Sequence, residues 1–258
     1  MYRGFNLVLD WDNEEYYEKG FALYQTNKST VRSTLKEFTY SDGSINGSLM
    51  QSNWFPQIES NIFISHSHKD EKQAITLAGW LYDTFKIKAF IDSCIWGYSN
   101  ELLKLIDQKY CIQADGYYNY NQRNYSTSHV HMMLSTALSM MIDKTECLFF
   151  LNTPNSISTT EVIGKTESPW IYSEIAMSQM IRKSIPRRRN NQETKYFSKD
   201  GVINESLKIK YDVNLSHLVD INMNTLLEWQ KKYISNNAVS ALDILYKIKS
   251  IKDMNIIL

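Results

Sequence analysis

Cysteine is scarce in this chain, with Cys94, Cys111 and Cys147 the only three among 258 residues. They are too few and too far apart for a disulfide framework and form no CxxC knuckle, so they read as reduced thiols, with Cys147 buried. Glycine (9) and proline (4) are sparse while 43% of residues are apolar, which argues against collagen-like repeats, disorder and coiled-coil rods. An excess of either charge sign is also missing. Lys+Arg and Asp+Glu number 28 each, so no global field exists to hold a nucleic-acid backbone or an anionic membrane. Long apolar runs are absent too. Cys147-Leu148-Phe149-Phe150-Leu151 is among the longest, far short of the ~20 residues needed to span a bilayer. The first residues lack the continuous apolar stretch of a signal peptide, with Asp10, Asp12, Glu14 and Glu15 close behind. The expectation is a folded, soluble, cytoplasmic protein with no membrane and no nucleic acid as partner.

What is present follows a strand and helix alternation. Asn61-Ile62-Phe63-Ile64-Ser65 has the apolar, β-branched and aromatic character of a buried strand ending in polar residues. Glu71 to Lys86 then carries Ala74, Ile75, Leu77, Ala78, Leu81, Tyr82 and Phe85 on one helical stripe. A second strand, Lys88 to Asp92, follows within a few residues, which requires a crossover connection and hence a parallel sheet covered by helices. Helices are expected over 100–110, 129–141 and 169–182, a third strand over 146–151, last strands at 208–213 and 218–221, and closing helices at 225–233 and 238–251. Ser168-Pro169 opens the 169–182 helix with a capping residue and a first-turn proline. Residues 1–55, charged and aromatic at roughly helical spacing and ending in the turn-forming run Ser41 to Ser48, read as an N-terminal helical extension. Residues 56–258 form the main α/β domain, with insertions near 112–128 and 186–206.

In parallel α/β sheets ligands bind beyond the carboxyl ends of the strands. The segments there are polar: Ser65-His66-Ser67-His68-Lys69-Asp70, Asp92 to Ser99, and Asn152 to Ser156. They are expected to converge on one cleft, although Ser67 or Asp70 can equally cap a helix and Asp92 close a turn. In Ser168-Pro169-Trp170-Ile171-Tyr172-Ser173-Glu174, Trp170 and Glu174 stand four apart on one helical face, an aromatic platform beside a carboxylate. Such a pair suits a planar heterocycle and a sugar that develops positive charge. It equally suits a core tryptophan and an acid complementing the helix dipole.

Taken in order, Asn61 to Glu71, Ala89-Phe90-Ile91-Asp92 with its downstream loop, the strand 146–151, and Ser168-Pro169-Trp170 to Glu174 resemble bacterial Toll/interleukin-1 receptor (TIR) domains. The resemblance covers about residues 60–185. It implies a flavodoxin-like core and, as in many bacterial and plant members, cleavage of the nicotinamide-ribose bond of NAD+, with NAD+ as substrate and no separate cofactor or metal. Glu174 then takes the catalytic position and Trp170 lines the pocket, with Ser65, His66, Ser67, Asp92 and Trp96 as substrate-binding candidates. The loop Ser93 to Ser99 would meet a neighbouring protomer, making a homo-oligomer through TIR–TIR contacts. Products would be nicotinamide with ADP-ribose or a cyclic ADP-ribose isomer. The family further implies signalling in anti-phage (antiviral) defence through a separate effector.

Other readings compete. His66-Ser67-His68-Lys69-Asp70 satisfies H-x-H-x-D after a strand, the opening pattern of metallo-β-lactamase-like hydrolases, and imidazoles with carboxylates suit zinc. Against this, Glu71 stands where that pattern expects another histidine. A non-enzymatic TIR interaction module is the alternative of a different class, and a nucleoside-deoxyribosyltransferase-like enzyme would use related sugar chemistry. His129 and His131, two apart, are expected as one exposed and one packed residue. Arg182 to Arg189 reads as a basic helix end stopped by Pro186, and the stretch Tyr117 to Tyr125 as a long polar, aromatic loop.

Overall fold

The computed structural model describes residues 1–9, 11–28, 35–157, 165–186, 211–235 and 240–250, without the side chains of 27, 28 and 94–97. Its elements are β1 (Arg3–Val8), α1 (Glu14–Lys28), α2 (Gly47–Trp54), β2 (Ile62–Ser65), α3 (Glu71–Phe85), β3 (Ala89–Ile91), α4 (Ser93–Tyr110), α5 (Tyr120–Lys144), β4 (Cys147–Leu151), β5 (Lys165–Thr166), α6 (Pro169–Met180), β6 (Tyr211–Asp212), β7 (Val219–Asn222), α7 (Met223–Ile234) and α8 (Ala241–Ile248). Five strands form one sheet in the order β3-β2-β4-β1-β7, every neighbouring pair parallel. The architecture is thus α/β, a parallel sheet flanked by helices and consistent with a flavodoxin-like fold. From β2 the chain steps outward to β3 and then back across to β4, so β2 and β4 flank a topological switch point. No helix among the described residues is long and apolar enough to cross a membrane.

The first 55 residues depart from a purely helical extension. Arg3–Val8 is an interior strand, between β4 and β7, with Phe5 opposite Phe149 and Val219. Its polar residues are accommodated rather than exposed: Arg3 Nη1 donates to the Lys249 carbonyl at 2.6 Å and Asn6 Nδ2 to Asp220 Oδ1 at 2.7 Å. A strand buried on both faces shows no alternation to read, and Arg3, Gly4 and Asn6 interrupt its apolar run. The α1 helix is equally integral, crossing α3 at Gly20 and Gly79. A Cβ on Gly20 would stand 2.0 Å from the Ile75 carbonyl oxygen, and one on Gly79 1.9 Å from that of Tyr16. Only hydrogen side chains permit this separation of the two backbones.

Aromatic rings tie this layer together. Trp80 of α3 meets Trp11 and Trp229 edge-on, each at 5.9 Å, and Phe85 stacks on Trp229 of α7 at 4.0 Å. On α8, Tyr246 stacks over Phe5 at 6.1 Å. A second helical group is made by α4, α5 and α6, with α5 packed against both others.

Three further elements differ from the sequence expectation. Ser93 to Ser99 is the first part of α4, not a loop, because Tyr98, Leu102 and Ile106 continue one buried stripe at four-residue spacing. The tyrosine-rich insertion is a short turn with Gly116 at φ +84°, after which α5 starts at Tyr120. Residues 211–212, expected within a longer strand, pair antiparallel with 165–166 outside the main sheet. Of the basic excursion expected at 186–206, residues 187–206 lie outside the described residues.

Because the α1–α3 contact leaves no room for a methyl group, Gly79→Ala is expected to lower stability by about 2 kcal/mol despite alanine's better helix propensity. Gly79→Val is expected to lower it further. Thermal unfolding followed by circular dichroism measures both, and an unchanged midpoint for Gly79→Ala would refute the packing constraint.

Candidate functional site

The β2 strand delivers Ser65 and His66 to its carboxyl end, β3 runs directly into Asp92, and α6 brings Glu174 across from the other side of the switch point. Ser168 caps α6, accepting from the Ile171 N–H at 3.3 Å, and Pro169 occupies its first turn. The inward face of α6 then carries Ile171, Glu174, Ile175 and Ser178, all buried. Glu174 is therefore the one acid on a buried stripe shared with Ile171, Ile175 and Ser178.

Four side chains meet at this rim. The Ser65 hydroxyl donates to Glu174 Oε2 at 2.6 Å. His66 Nδ1 lies 2.7 Å from Asp92 Oδ1, which also accepts the Ser93 N–H at 2.8 Å. The carboxyls of Asp92 and Glu174 lie close enough to act on each other's protonation. Ser65, His66 and Asp92 are 0% exposed and Glu174 1%, so bulk water screens none of these contacts.

Burial sets the protonation states. Desolvation pushes the Glu174 carboxyl well above the ordinary range, with the Asp92 charge acting in the same sense and the Ser65 hydroxyl opposing. Asp92 is raised likewise, chiefly by desolvation and against the backbone N–H groups of Ser93 and His66. His66 is pushed down to about 4, because burial outweighs the attraction of Glu174, Glu71 and Asp70 for its cationic form.

The neighbouring loops are fastened by Asp70. Its Oδ2 accepts from the Thr153 hydroxyl at 2.5 Å and its Oδ1 from Asn155 Nδ2 at 2.7 Å, so the segments after β2 and β4 do meet. Asp70 makes no side-chain cap to α3. Ser67 is half-buried and begins the short 3₁₀ turn His68–Asp70 without a side-chain cap bond.

Trp170 sits on the flank of α6, half-buried, with the His131 ring edge-on at 5.6 Å. Both His129 and His131 are exposed, so the expected packed partner is instead a histidine laid against an indole. The contact of α5 with Trp170 had no sequence signal, since it depends on how α5 and α6 pack. The side chain of Trp96 lies outside the described residues.

The H-x-H-x-D pattern does not converge. His66 turns inward to Asp92, His68 is exposed, and Asp70 faces Thr153 and Asn155. Among the described residues no group of three or more His, Cys, Asp or Glu side chains is arranged to hold a metal ion. A surface depression of about 670 Å³, lined by Glu228, Lys231, Ile244 and Lys247 among others, lies by the carboxyl-terminal halves of α7 and α8. That is the opposite end of the sheet from Glu174.

Comparisons with protein-family models, with curated proteins and with solved structures give no match to this chain.

The buried acids and the buried base pull stability in opposite directions with pH. His66 is neutral in the fold down to about 4 against an ordinary 6.5, so its contribution is present above pH 6.5 and is lost as pH falls towards 4. Glu174 holds its proton above the ordinary 4.5, so above that pH the native state binds more protons than the unfolded state and stability falls as pH rises. Glu174→Gln removes this second term. Its stability relative to wild type is expected to rise from pH 4.5 towards neutrality, by at most about 1.4 kcal/mol per pH unit. Urea unfolding across that range measures the difference, and a pH-independent difference would contradict a raised Glu174.

Proposed function

We propose that this chain is a TIR-like NAD+ nucleosidase or cyclase in which Glu174 is the catalytic carboxylate. The observation that carries this reading is a glutamate embedded at the carboxyl rim of β2 and β3, next to the switch point of a parallel sheet, bonded to Ser65 and close to Asp92. Enclosed carboxylates with shifted protonation cluster at functional sites, and among the described residues no Lys or Arg forms an ion pair with this one.

The chemistry needs an anion on Glu174, which burial holds protonated in the closed rim and which uncovering the rim to water would let ionise. Nicotinamide leaves as a neutral molecule, taking the electrons of the C–N bond, so no general acid is needed at that step. The ribose becomes oxocarbenium-like, as in other glycosidic cleavages. A preorganised carboxylate next to the sugar stabilises that charge and accepts hydrogen bonds from its hydroxyls. Water then adds to the anomeric carbon and loses a proton, giving ADP-ribose, or a nitrogen within the same molecule adds, giving a cyclic isomer. Trp170 would offer its indole face to the nicotinamide ring. A separate effector sensing the product, in anti-phage signalling, completes this reading.

The enclosure of Glu174 means that substrate reaches it only when the rim is uncovered, which suits activation by assembly of several protomers. The same enclosure supports a second reading, a non-catalytic TIR interaction module in which the acid cluster is internal structure. Chromatography of small molecules after incubation with NAD+, with and without crowding agents that promote assembly, separates the two. Nicotinamide release is expected from the assembled wild type and is expected to fall by about 10²-fold or more in Glu174→Gln, the scale of losing one preorganised electrostatic group. Undiminished release by the variant would eliminate the assignment, and silence of the assembled wild type would favour the interaction module.

A further inference from the structure

The outward side of α5 is a solvent-facing surface without fixed charge. From Asn124 to Ile142 the helix contains no Lys, Arg, Asp or Glu, although 22% of the chain is charged. Its inward stripe, which includes Val130, Leu134, Ala137, Leu138 and Met141, is buried. The opposite stripe, Tyr125, Ser128, His129, Met132, Thr136 and Met140, is exposed and falls on one face by helical spacing. Tyr125 stands 71% and Met132 64% exposed. Free surfaces mix charges of both signs, whereas the middle of a protein interface is poor in charge and rich in Tyr and Met.

The amino end of this stripe is a fixed tip. Ile112 and Tyr118 bridge across the turn before α5, and Asn119 caps the helix by accepting the Gln122 N–H at 3.1 Å. Buried Asp107 accepts from the Ser126 hydroxyl and from Arg123 Nε, the latter at 3.0 Å, and the Arg123 guanidinium lies over Tyr118 at 5.1 Å. Tyr117 and Tyr120 project from the tip at 74% and 77% exposure, beside Ile112. Rings presented on so firm a base lose little entropy on binding. At roughly 200 Å² per large side chain, the exposed Tyr, Ile and Met groups of tip and stripe offer on the order of 800 Å², the area that each partner of a stable complex buries.

The neutrality of the stripe selects its occupant. Nucleic acid or an acidic protein finds no cation there, and a charged partner of either sign would lose hydration without a counter-charge. A second copy meets neither penalty, since the face does not repel itself and its hydroxyls and imidazole both donate and accept, which makes it complementary to its own image. The segment expected from sequence to meet a neighbouring protomer is committed inward instead, with Ser93, Tyr98 and Ser99 buried. We propose that the outward face of α5 is a homodimer interface, α5 packing on α5 across a twofold axis near Met132. An antiparallel crossing then sets Tyr125 of one protomer against Met140 of its partner, a sulfur–aromatic contact. The tyrosine tip reaches the partner's α2, where Leu49 is exposed and Gln51 Nε2 lies 4.0 Å from Met140 Sδ within the same chain. This interface stands apart from the NAD+ reading, and no substrate enters its test.

Sedimentation velocity of the purified chain at micromolar to millimolar concentration measures the association. Wild type is expected to form a dimer. Met132→Glu and Met132→Lys each set like charges face to face at the axis, and each alone is expected to weaken the dimer by about 10²-fold or more. Because Met132 is exposed, both variants are expected to keep the circular dichroism of wild type. Mixing the two is expected to restore the dimer, since opposite charges then meet, a rescue that a misfolded variant does not give. A wild type that stays monomeric throughout overturns the proposal and leaves the face to a different protein. A dimer that survives in both variants overturns it by using another surface. Failure of the mixed variants to associate, when each is folded and monomeric, overturns the twofold contact.

Discussion

A carboxyl group taken out of water must find compensation, and in this molecule the compensation for Glu174 is the set of groups that the strand ends bring to it. Ser65 at the tip of β2 and Asp92 at the tip of β3 reach it only because those strands are neighbours in parallel register, Ile64 opposite Ile91. The helix that carries Glu174 arrives from beyond β4. The acid thus depends on the sheet order, and the order of β3, β2 and β4 is what places three separate segments at one rim. Asp70 reinforces the arrangement by tying the loop after β4 to the start of α3.

Much of this was legible in the sequence between residues 60 and 185. The apolar runs at Ile62–Ser65 and Cys147–Leu151 and the stripe from Ala74 to Phe85 carry strong periodicity or composition, and the Ser168-Pro169 start of α6 is a local signal that needs no tertiary context. Glu174 could be singled out by its four-residue spacing from Trp170 and by the resemblance to TIR domains. Its burial and its proximity to Asp92 could not, since they depend on α6 packing so that Glu174 meets Ser65 at the end of β2. The inward turn of His66 and the exposure of His68 likewise follow from the 3₁₀ turn after β2, which a two-residue spacing does not reveal.

The amino-terminal segment is where sequence reasoning falls short, for a definable reason. Arg3, Gly4 and Asn6 oppose a strand assignment locally, and each polar residue is answered only by distant partners, Lys249 and Asp220. The glycine crossing of α1 on α3 is similarly silent, because Gly20 and Gly79 gain meaning only from each other. Tertiary contact overrides local preference at both places. The helical start of α4 differs: Tyr98, Leu102 and Ile106 carry the helical spacing, whereas the polar residues after β3 and the resemblance to TIR domains pointed to a loop over Ser93 to Ser99.

The interior position of β1 has a consequence for biogenesis. This strand leaves the ribosome before either of its neighbours, yet its ladder needs Cys147–Leu151 on one side and Val219–Asn222 on the other. Most of the nascent polypeptide must therefore be made before the sheet can close around it, and such non-local pairing slows folding and prolongs exposure of sticky edges. Until then α1 can already dock on α3, parking the early strand near its slot while translation continues.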